Sequence, residues 1–354
     1  MKRFIINIVL VLLPICLIVV LVNFFEDPAH LYGNRDYEEQ LARMIVVSKK
    51  NVTNVDKDFS IRIFKKKLCE NYIVSDSIDV LVLGSSRVHQ ISTRNFRGKK
   101  LLNMGVSGAT IEDECALMYT CVLSGLKPSL VLLGIDPFYF NANCVNERTK
   151  ELRKQYDEYL TEIGQNKTRS QVVFDWEKWG NLLSFSYFQQ GIKYFGVGNK
   201  EMTVTDRFEN KLDTWHYDGS ITYGEEVRKR SVEEVNEIAG SFTYYQWNKF
   251  NEISLEKAES LIELIDYIKS QNADILIFLP PYHPVTYDRF MCQREFKQII
   301  NAELLMEKIV REENLEVVGN WNPKKCGCDE TDFFDAVHLN AKGLDRIFGE
   351  RIDK

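Results

Sequence analysis

The sequence predicts an α/β fold: a five-stranded parallel, doubly wound sheet with a mainly helical insertion, preceded by one N-terminal transmembrane helix. Three observations predict it. Five short apolar runs, each ending in glycine, serine or proline, alternate with stretches of helical periodicity. Between residues 144 and 250 the rhythm breaks, and aromatic-rich helical stretches replace the strand signals. Before the first run, Phe4 to Phe25 extends for 22 residues without a charge.

That first stretch is interrupted only by Asn7, Pro14 and Asn23. At about 1.5 Å per residue, roughly 20 residues span a hydrocarbon core about 30 Å thick, so its length suits a membrane span. A cleaved signal peptide has a shorter apolar core and small residues at the cut site, whereas Asn23-Phe-Phe-Glu-Asp27 follows here. Lys2 and Arg3 hold the tip in the cytoplasm, which sends the remaining chain across the membrane. A lipoprotein site would need a small residue in place of Ile15 before Cys16, so lipidation is not expected. Residues 1–25 are thus a cytoplasmic tip and anchor, and 26–72 a polar connector. In the connector, Asp27-Pro28 stops the anchor helix and Tyr37 to Lys50 suits a short amphipathic helix.

Of 354 residues, the anchor leaves about 325, enough for one large α/β domain or one domain carrying an insertion. Hydrophobic residues are 45% and charged ones 27%, ordinary globular usage that supports a real core. A formal net charge of -6 argues against a nucleic-acid partner, which needs a concentrated basic face. Lys65-Lys-Lys67 and Arg228-Lys-Arg230 read as solvated faces. Seven of the eight cysteines lie outside the anchor without regular spacing, unlike a disulfide scaffold. Cys326-Gly-Cys328 lacks the second pair a metal site would want and reads as one disulfide or free thiols. No metal-ligand cluster, phosphate loop or cofactor motif is expected.

The α/β domain, residues 73–143 and 251–354, opens with Ile78-Asp-Val-Leu-Val-Leu83, a buried strand running into Gly84-Ser85-Ser86. Ligands of parallel sheets sit beyond the carboxyl ends of the strands, where these serines fall. One of them is a candidate nucleophile, and the plainer alternative is that they cap a helix. Lys100 to Met104 is the second strand, followed by Gly105-Val-Ser-Gly108 and a helix from Ile111 to Leu123. Ser129 to Ile135, ending in Asp136-Pro137, is the third. Strand, helix, strand at this spacing is a parallel crossover unit.

The inserted cap, residues 144–250, carries Trp176, Trp179, Trp215 and Trp247, suited to stacking on sugar rings or to a small core of its own. Asp218-Gly219 is the dipeptide of a tight hairpin turn. The alternation resumes with a helix capped by Ser254 and running to Ser270, with Leu255, Leu261, Ile262, Ile265 and Ile268 on one face. Asp274 to Leu279 is the fourth strand, Pro280-Pro281 ends it, Phe296 to Glu313 is helical, and Leu315 to Gly319 is the fifth strand.

Near the C-terminus, Asp335 and His338 stand three residues apart, which places both side chains on one face of a turn. An aspartate can accept from one imidazole nitrogen and aim the other at a serine hydroxyl. With Gly84-Ser-Ser86, Asn103-Met-Gly-Val-Ser-Gly108 and Asp335-Ala-Val-His338, the chain resembles the SGNH (GDSL-like) hydrolase superfamily. The resemblance covers about residues 75 to 140 and 254 to 350 but not the insertion, and it implies a flavodoxin-like, SGNH-type sheet. It further implies Ser86 as nucleophile, His338 as base, Asp335 as its partner, and the Gly108 N–H in the oxyanion hole, with Gly105 as runner-up. Asn340 and Gly343 fit the usual continuation of the last block. In one block the chain departs from the family, having Gly134-Ile-Asp-Pro137 where an asparagine donates to the oxyanion. An ionised Asp136 cannot donate.

Arg87 is placed to pair with Asp136 or a charged substrate, the safer reading being a surface salt bridge. His283 leaves the fourth strand at the same rim and is a candidate substrate contact. His30 lies by the membrane connector, His89 follows the nucleophile turn, and His216 belongs to the insertion. The resemblance and the anchor together imply a single-pass cell-membrane protein with an extracytoplasmic serine esterase or O-acyltransferase domain. Its partner would be an acylated glycan or other cell-envelope polymer. Two alternatives stay open: a D-alanyl-transfer-like protein of envelope polymers, and a catalytically inactive glycan-binding or assembly component.

Overall fold

The structure is a computed structural model that describes residues 2–26, 36–56, 59–72, 78–144, 147–165, 179–194, 201–243, 245–247, 249–293 and 297–349. His30, Trp176 and the Asp27-Pro28 stop lie outside the described residues, as does Phe296, the expected start of a helix. The first element, α1 (Lys2–Glu26), is one helix of 25 residues with Pro14 inside it. Its described side chains are Arg3 and those from Leu10 to Phe25, most of them exposed. Among the described residues no helix is long and apolar enough to cross a membrane.

The stretch read as a connector is folded into α2 (Asp36–Ser48), β1 (Asn51–Thr53) and α3 (Ile61–Asn71). The helix α3 begins where the Ser60 hydroxyl accepts the Ile63 N–H, satisfying a donor that has no partner within the helix. Then come β2 (Val80–Leu83), β3 (Leu101–Asn103), α4 (Ile111–Leu123) and β4 (Leu130–Gly134). The inserted region contributes α5 (Arg153–Glu162), α6 (Phe185–Tyr194), β5 (Thr203–Thr205), β6 (Thr214–Trp215), β7 (Ile221–Thr222) and α7 (Val232–Ser241). The chain ends through α8 (Leu255–Ser270), β8 (Asp274–Leu279), α9 (Pro284–Cys292), α10 (Gln298–Glu312), β9 (Glu316–Gly319) and α11 (Ala341–Phe348).

Five strands form one parallel sheet in the order β3-β2-β4-β8-β9. Alternate residues of each strand enter opposite cores, as the two-residue period of a strand requires. Leu81, Leu83, Val131, Leu133, Ile275 and Ile277 pack with Cys115 and Met118 of α4, Leu261 and Ile265 of α8, and Met306 of α10. Val80, Val82, Leu132, Leu276 and Phe278 pack on the other side with Leu344, Ile347 and Phe348 of α11. Burial on both faces explains why these strands read as unbroken apolar runs. The chain steps from β2 to β3 on one side and to β4 on the other, so the order reverses at β2/β4. Parallel sheets bind ligands beyond the carboxyl ends of their strands at such a reversal.

A second, antiparallel sheet has the order β5-β1-β6-β7. The insertion, mainly helical in its described elements, therefore also supplies three short strands and the connector one. Trp215 is buried against Phe59 and Phe64, with ring centroids 5.0 and 5.3 Å away, so it packs on the connector and not in a core of the insertion alone. Trp247 is buried beside Phe250, Tyr282 and Phe290, while Trp179 is exposed.

Lys65 also departs from its solvated reading. It is buried, and its Nζ donates to the carbonyls of Asn103 (2.7 Å) and Gly219 (2.5 Å). In α8, Leu261, Ile265 and Ile268 are buried with Leu264, but Leu255 is exposed because it sits on the first turn, beyond the edge of the packed face.

The turn after β2 is seated on glycine. A Cβ on Gly105 would lie 2.5 Å from Val88 Cγ2, and one on Gly134 would lie 2.4 Å from Val88 Cγ1. Val88 thus plugs a space that two neighbouring strand ends leave open only because they carry no side chain there, and this fixes the height of the turn above the sheet. Gly134→Ala is expected to lower stability by about 1–3 kcal/mol, as overpacking does. In urea titrations the added substitution Val88→Ala should recover part of that loss.

Candidate active site

After β2, Gly84 adopts φ +147°, a conformation open to glycine, and the chain turns into a single 3-10 turn at Ser86–Val88. The Ser85 side chain caps this turn by accepting the Arg87 N–H at 3.3 Å. Ser86 is left half-buried at the carboxyl edge of the sheet. Among the described residues its N–H donates to no acceptor.

The loop before α11 carries the other two residues. It is closed by the Phe333–Leu339 bridge and by hydrogen bonds from Phe334 N to His338 O (2.9 Å) and from Asn340 N to Asp332 O (2.9 Å). Asn340 caps α11 by accepting the Gly343 N–H at 3.0 Å, and a Cβ on Gly343 would strike Asp332 O at 2.4 Å.

Asp335 and His338 face one another inside this loop. His338 Nδ1 lies 2.8 Å from Asp335 Oδ2, and His338 Nε2 lies 2.8 Å from Ser86 Oγ. In the tautomer the carboxylate selects, Nδ1–H donates to Asp335 and Nε2 accepts from the hydroxyl. Burial opposes ionisation of Asp335. The neighbouring His338 ring and the N–H groups of Val337 and His338, both at 2.9 Å, outweigh it and hold the carboxyl well below its ordinary range. Residues 252 apart in sequence thus share one hydrogen bond.

Tyr223, which sequence reasoning missed, packs edge-on against the His338 ring with centroids 5.6 Å apart. It follows β7, and the Ile221 N–H donates to His89 O (2.7 Å), so the inserted hairpin is pinned to the nucleophile turn. The Asp218-Gly219 turn was visible in sequence; its docking against that turn was not.

Arg87 and Asp136 meet, but in the interior. Both side chains are buried, with Nη1 2.5 Å from Oδ1, so the surface salt bridge is corrected to a buried one. Arg87 Nη2 also donates to the carbonyls of Pro280 and Pro281, and Nε to Val337 O at 3.2 Å, while the guanidinium lies 4.1 Å over the Tyr282 ring. Asp136 therefore acts as an acceptor for Arg87, not as a donor to substrate.

Gly105 is not available to an oxyanion, because its N–H donates to Asn103 Oδ1 at 2.9 Å. Gly108 is half-buried at φ +58° on the same rim, and its carbonyl accepts from Arg62 Nη2 at 3.3 Å. His283 is buried. Its Nδ1 accepts the Val285 N–H as the cap of α9, and its own N–H donates to Ala336 O, so it braces the histidine loop and offers no open face to substrate. His89 is buried, which lowers its pKa well below the ordinary range and keeps it neutral. His216, also buried, stacks on Phe208.

Among the described residues no group of three or more histidine, cysteine, aspartate or glutamate side chains is placed to hold a metal. Fold and site together define a parallel α/β module with a hydrogen-bonded serine, histidine and aspartate at the carboxyl edge of its sheet. No protein-family model and no curated protein matches the chain.

Removing one partner of the buried pair strands the other. Arg87→Met is expected to cost about 3–5 kcal/mol, and Arg87→Met combined with Asp136→Leu much less, measured by urea denaturation. Because the Asp335 carboxyl is held low, its stabilising contribution is present above the unfolded aspartate pKa of about 3.9 and is lost as pH falls further. The stability gap between the parent chain and Asp335→Asn should therefore be constant near neutrality and close progressively below about pH 4.

Proposed function

We propose that the protein is a membrane-anchored, extracytoplasmic serine esterase or O-acyltransferase of SGNH-like type, acting on acyl groups of a cell-surface glycan. The observation that carries the reading is the unbroken relay from Ser86 Oγ through His338 to Asp335, with 2.8 Å at each step. It stands at the strand-order reversal, where a parallel sheet binds its ligands.

In the proposed reaction Ser86 Oγ attacks the acyl carbonyl carbon while His338 Nε2 takes the hydroxyl proton. Asp335 stabilises the imidazolium without accepting its proton. As the C–O bond to the leaving alcohol breaks, His338 returns the proton to it, leaving an acyl-Ser86 ester. Water or a sugar hydroxyl then attacks that ester with His338 again as base, releasing acid or transferred ester and free Ser86. The Ser86 N–H would hold the oxyanion, with Gly108 on the same rim, since Asp136 is engaged by Arg87. A D-alanyl-transfer-like protein of envelope polymers would use the same steps with a different acyl group.

The anchor reading rests on the sequence, where 22 uncharged residues from Phe4 to Phe25 match the roughly 20 that a hydrocarbon core about 30 Å thick requires, and on the exposure of most side chains from Leu10 to Phe25. A second functional reading, an inactive glycan-binding or assembly component, is favoured by Asp136, because losing an oxyanion donor costs on the order of 10²–10³ in rate.

The full-length protein in detergent should label with a fluorophosphonate probe and hydrolyse p-nitrophenyl acetate. Ser86→Ala should abolish both, and Asp335→Asn should lower kcat on the order of 10³–10⁴-fold. No labelling of the folded parent would favour the binding component, and labelling that survives Ser86→Ala would remove Ser86 as nucleophile. Offering an acceptor glycan separates transfer from hydrolysis.

A further inference from the structure

Between α5 and β5 the inserted region holds a short 3-10 turn, Asn181–Leu183, and then α6, which packs alongside α1. The contact is polar at one point. Asn23 is fully buried between half-buried Val22 and exposed Phe24, and its Nδ2 donates to the carbonyls of Asn181 (3.1 Å), Leu182 (2.9 Å) and Ser184 (3.0 Å). Around this contact the surface is apolar: Trp179 is 44% exposed, Leu183 66%, Phe185 63% and Ile192 50%. From Trp179 to Tyr194 the sequence holds no acidic residue and a single cation, Lys193, in a chain of net charge -6.

We infer that Trp179–Tyr194 is a second membrane-contacting element, an amphipathic segment lying in the outer lipid interface beside the anchor. The inference rests on the reading of α1 as a membrane span. Depth is set by register. Asn23 lies two residues before Phe25, the end of the apolar stretch, so roughly 3 Å of helix rise separates it from that end. The carbonyls bound to Asn23 are thereby held at the boundary where acyl chains meet headgroups. At that depth an unpaired amide nitrogen is costly, and Nδ2 avoids that cost by pairing with the three carbonyls, while Oδ1 stays buried without a partner among the described residues. Aromatic and leucine side chains on one face with few charges are what an interfacial helix buries. Leu21, Phe24 and Phe25 of α1, the helix on which the segment packs, are exposed as well, and a bilayer around that helix is the occupant such apolar side chains suit.

The test uses the full-length protein in phospholipid vesicles whose acyl chains are brominated either near the headgroup or near the bilayer centre. In a Trp176→Phe background tryptophan emission should fall with the shallow quencher, and adding Trp179→Phe should remove that fall, since Trp215, Trp247 and Trp321 are buried. Leu13→Trp, with both Trp176→Phe and Trp179→Phe, reports on the anchor through the deep quencher. Quenching at position 13 with none attributable to Trp179 overturns the inference and leaves the anchor standing. No quenching at either position overturns both. If Trp179 is unquenched and the protein self-associates in detergent until Leu183→Ser and Phe185→Ser are introduced, the face belongs to a second copy and the inference fails.

Discussion

Arg87 fastens the nucleophile turn to the histidine loop, and the geometry of the site depends on it. Its own backbone follows Ser86, and its side chain reaches Asp136 after β4, Pro280 and Pro281 after β8, and the carbonyl of Val337 next to His338. One guanidinium, with donors in a rigid planar fork, thereby fixes three strand-end segments and the histidine loop relative to each other. A buried ion pair is weak as a source of net stability, because desolvation offsets much of the attraction. It is strong as a constraint, because each wrong arrangement leaves a charge without its partner. The aspartate at position 136 and the arginine at 87 are one device, and neither is readable without the other.

The opposite flank is held by Lys65 and the inserted hairpin. The ammonium of Lys65 sits between the carbonyls of Asn103 and Gly219, and burial pulls its pKa down to about 7 against the opposing influence of Asp218. Asn103 N donates to Asp218 O at 2.7 Å, and Thr93 N to Asp218 Oδ2 at 2.9 Å. The hairpin is thus locked to the end of β3, and Tyr223 is delivered onto the imidazole. What looks like an appendage in sequence forms a wall of the site.

The sheet was legible because its strands are buried on both faces and so carry unbroken runs such as Val80–Leu83 and Asp274–Leu279, each ending in a residue that breaks pairing. The relay was legible because a rim glycine-serine turn and an Asp-x-x-His turn each carry local signatures. What stayed hidden depends on partners far along the chain. Arg87 and Asp136 read as a surface pair until the carbonyls of Pro280 and Pro281, 193 and 194 residues away from Arg87, are found against the guanidinium. Lys65 reads as solvated until the carbonyl of Gly219, 154 residues away, is found at its tip. The strands β1 and β5 are three residues each and only partly buried, too short to impose a period.

The sheet β5-β1-β6-β7 has a consequence for the order of events on the ribosome. The strand Asn51–Thr53 is made early, yet its neighbours Thr203–Thr205 and Thr214–Trp215 come about 150 residues later, a delay of roughly 8–30 s at ~5–20 residues per second. Through that interval both edges of β1 stand open while the parallel sheet is still missing its last two strands. The nascent chain therefore carries an unpaired edge through much of its translation, and a cell making this protein has to keep that edge from finding a stranger.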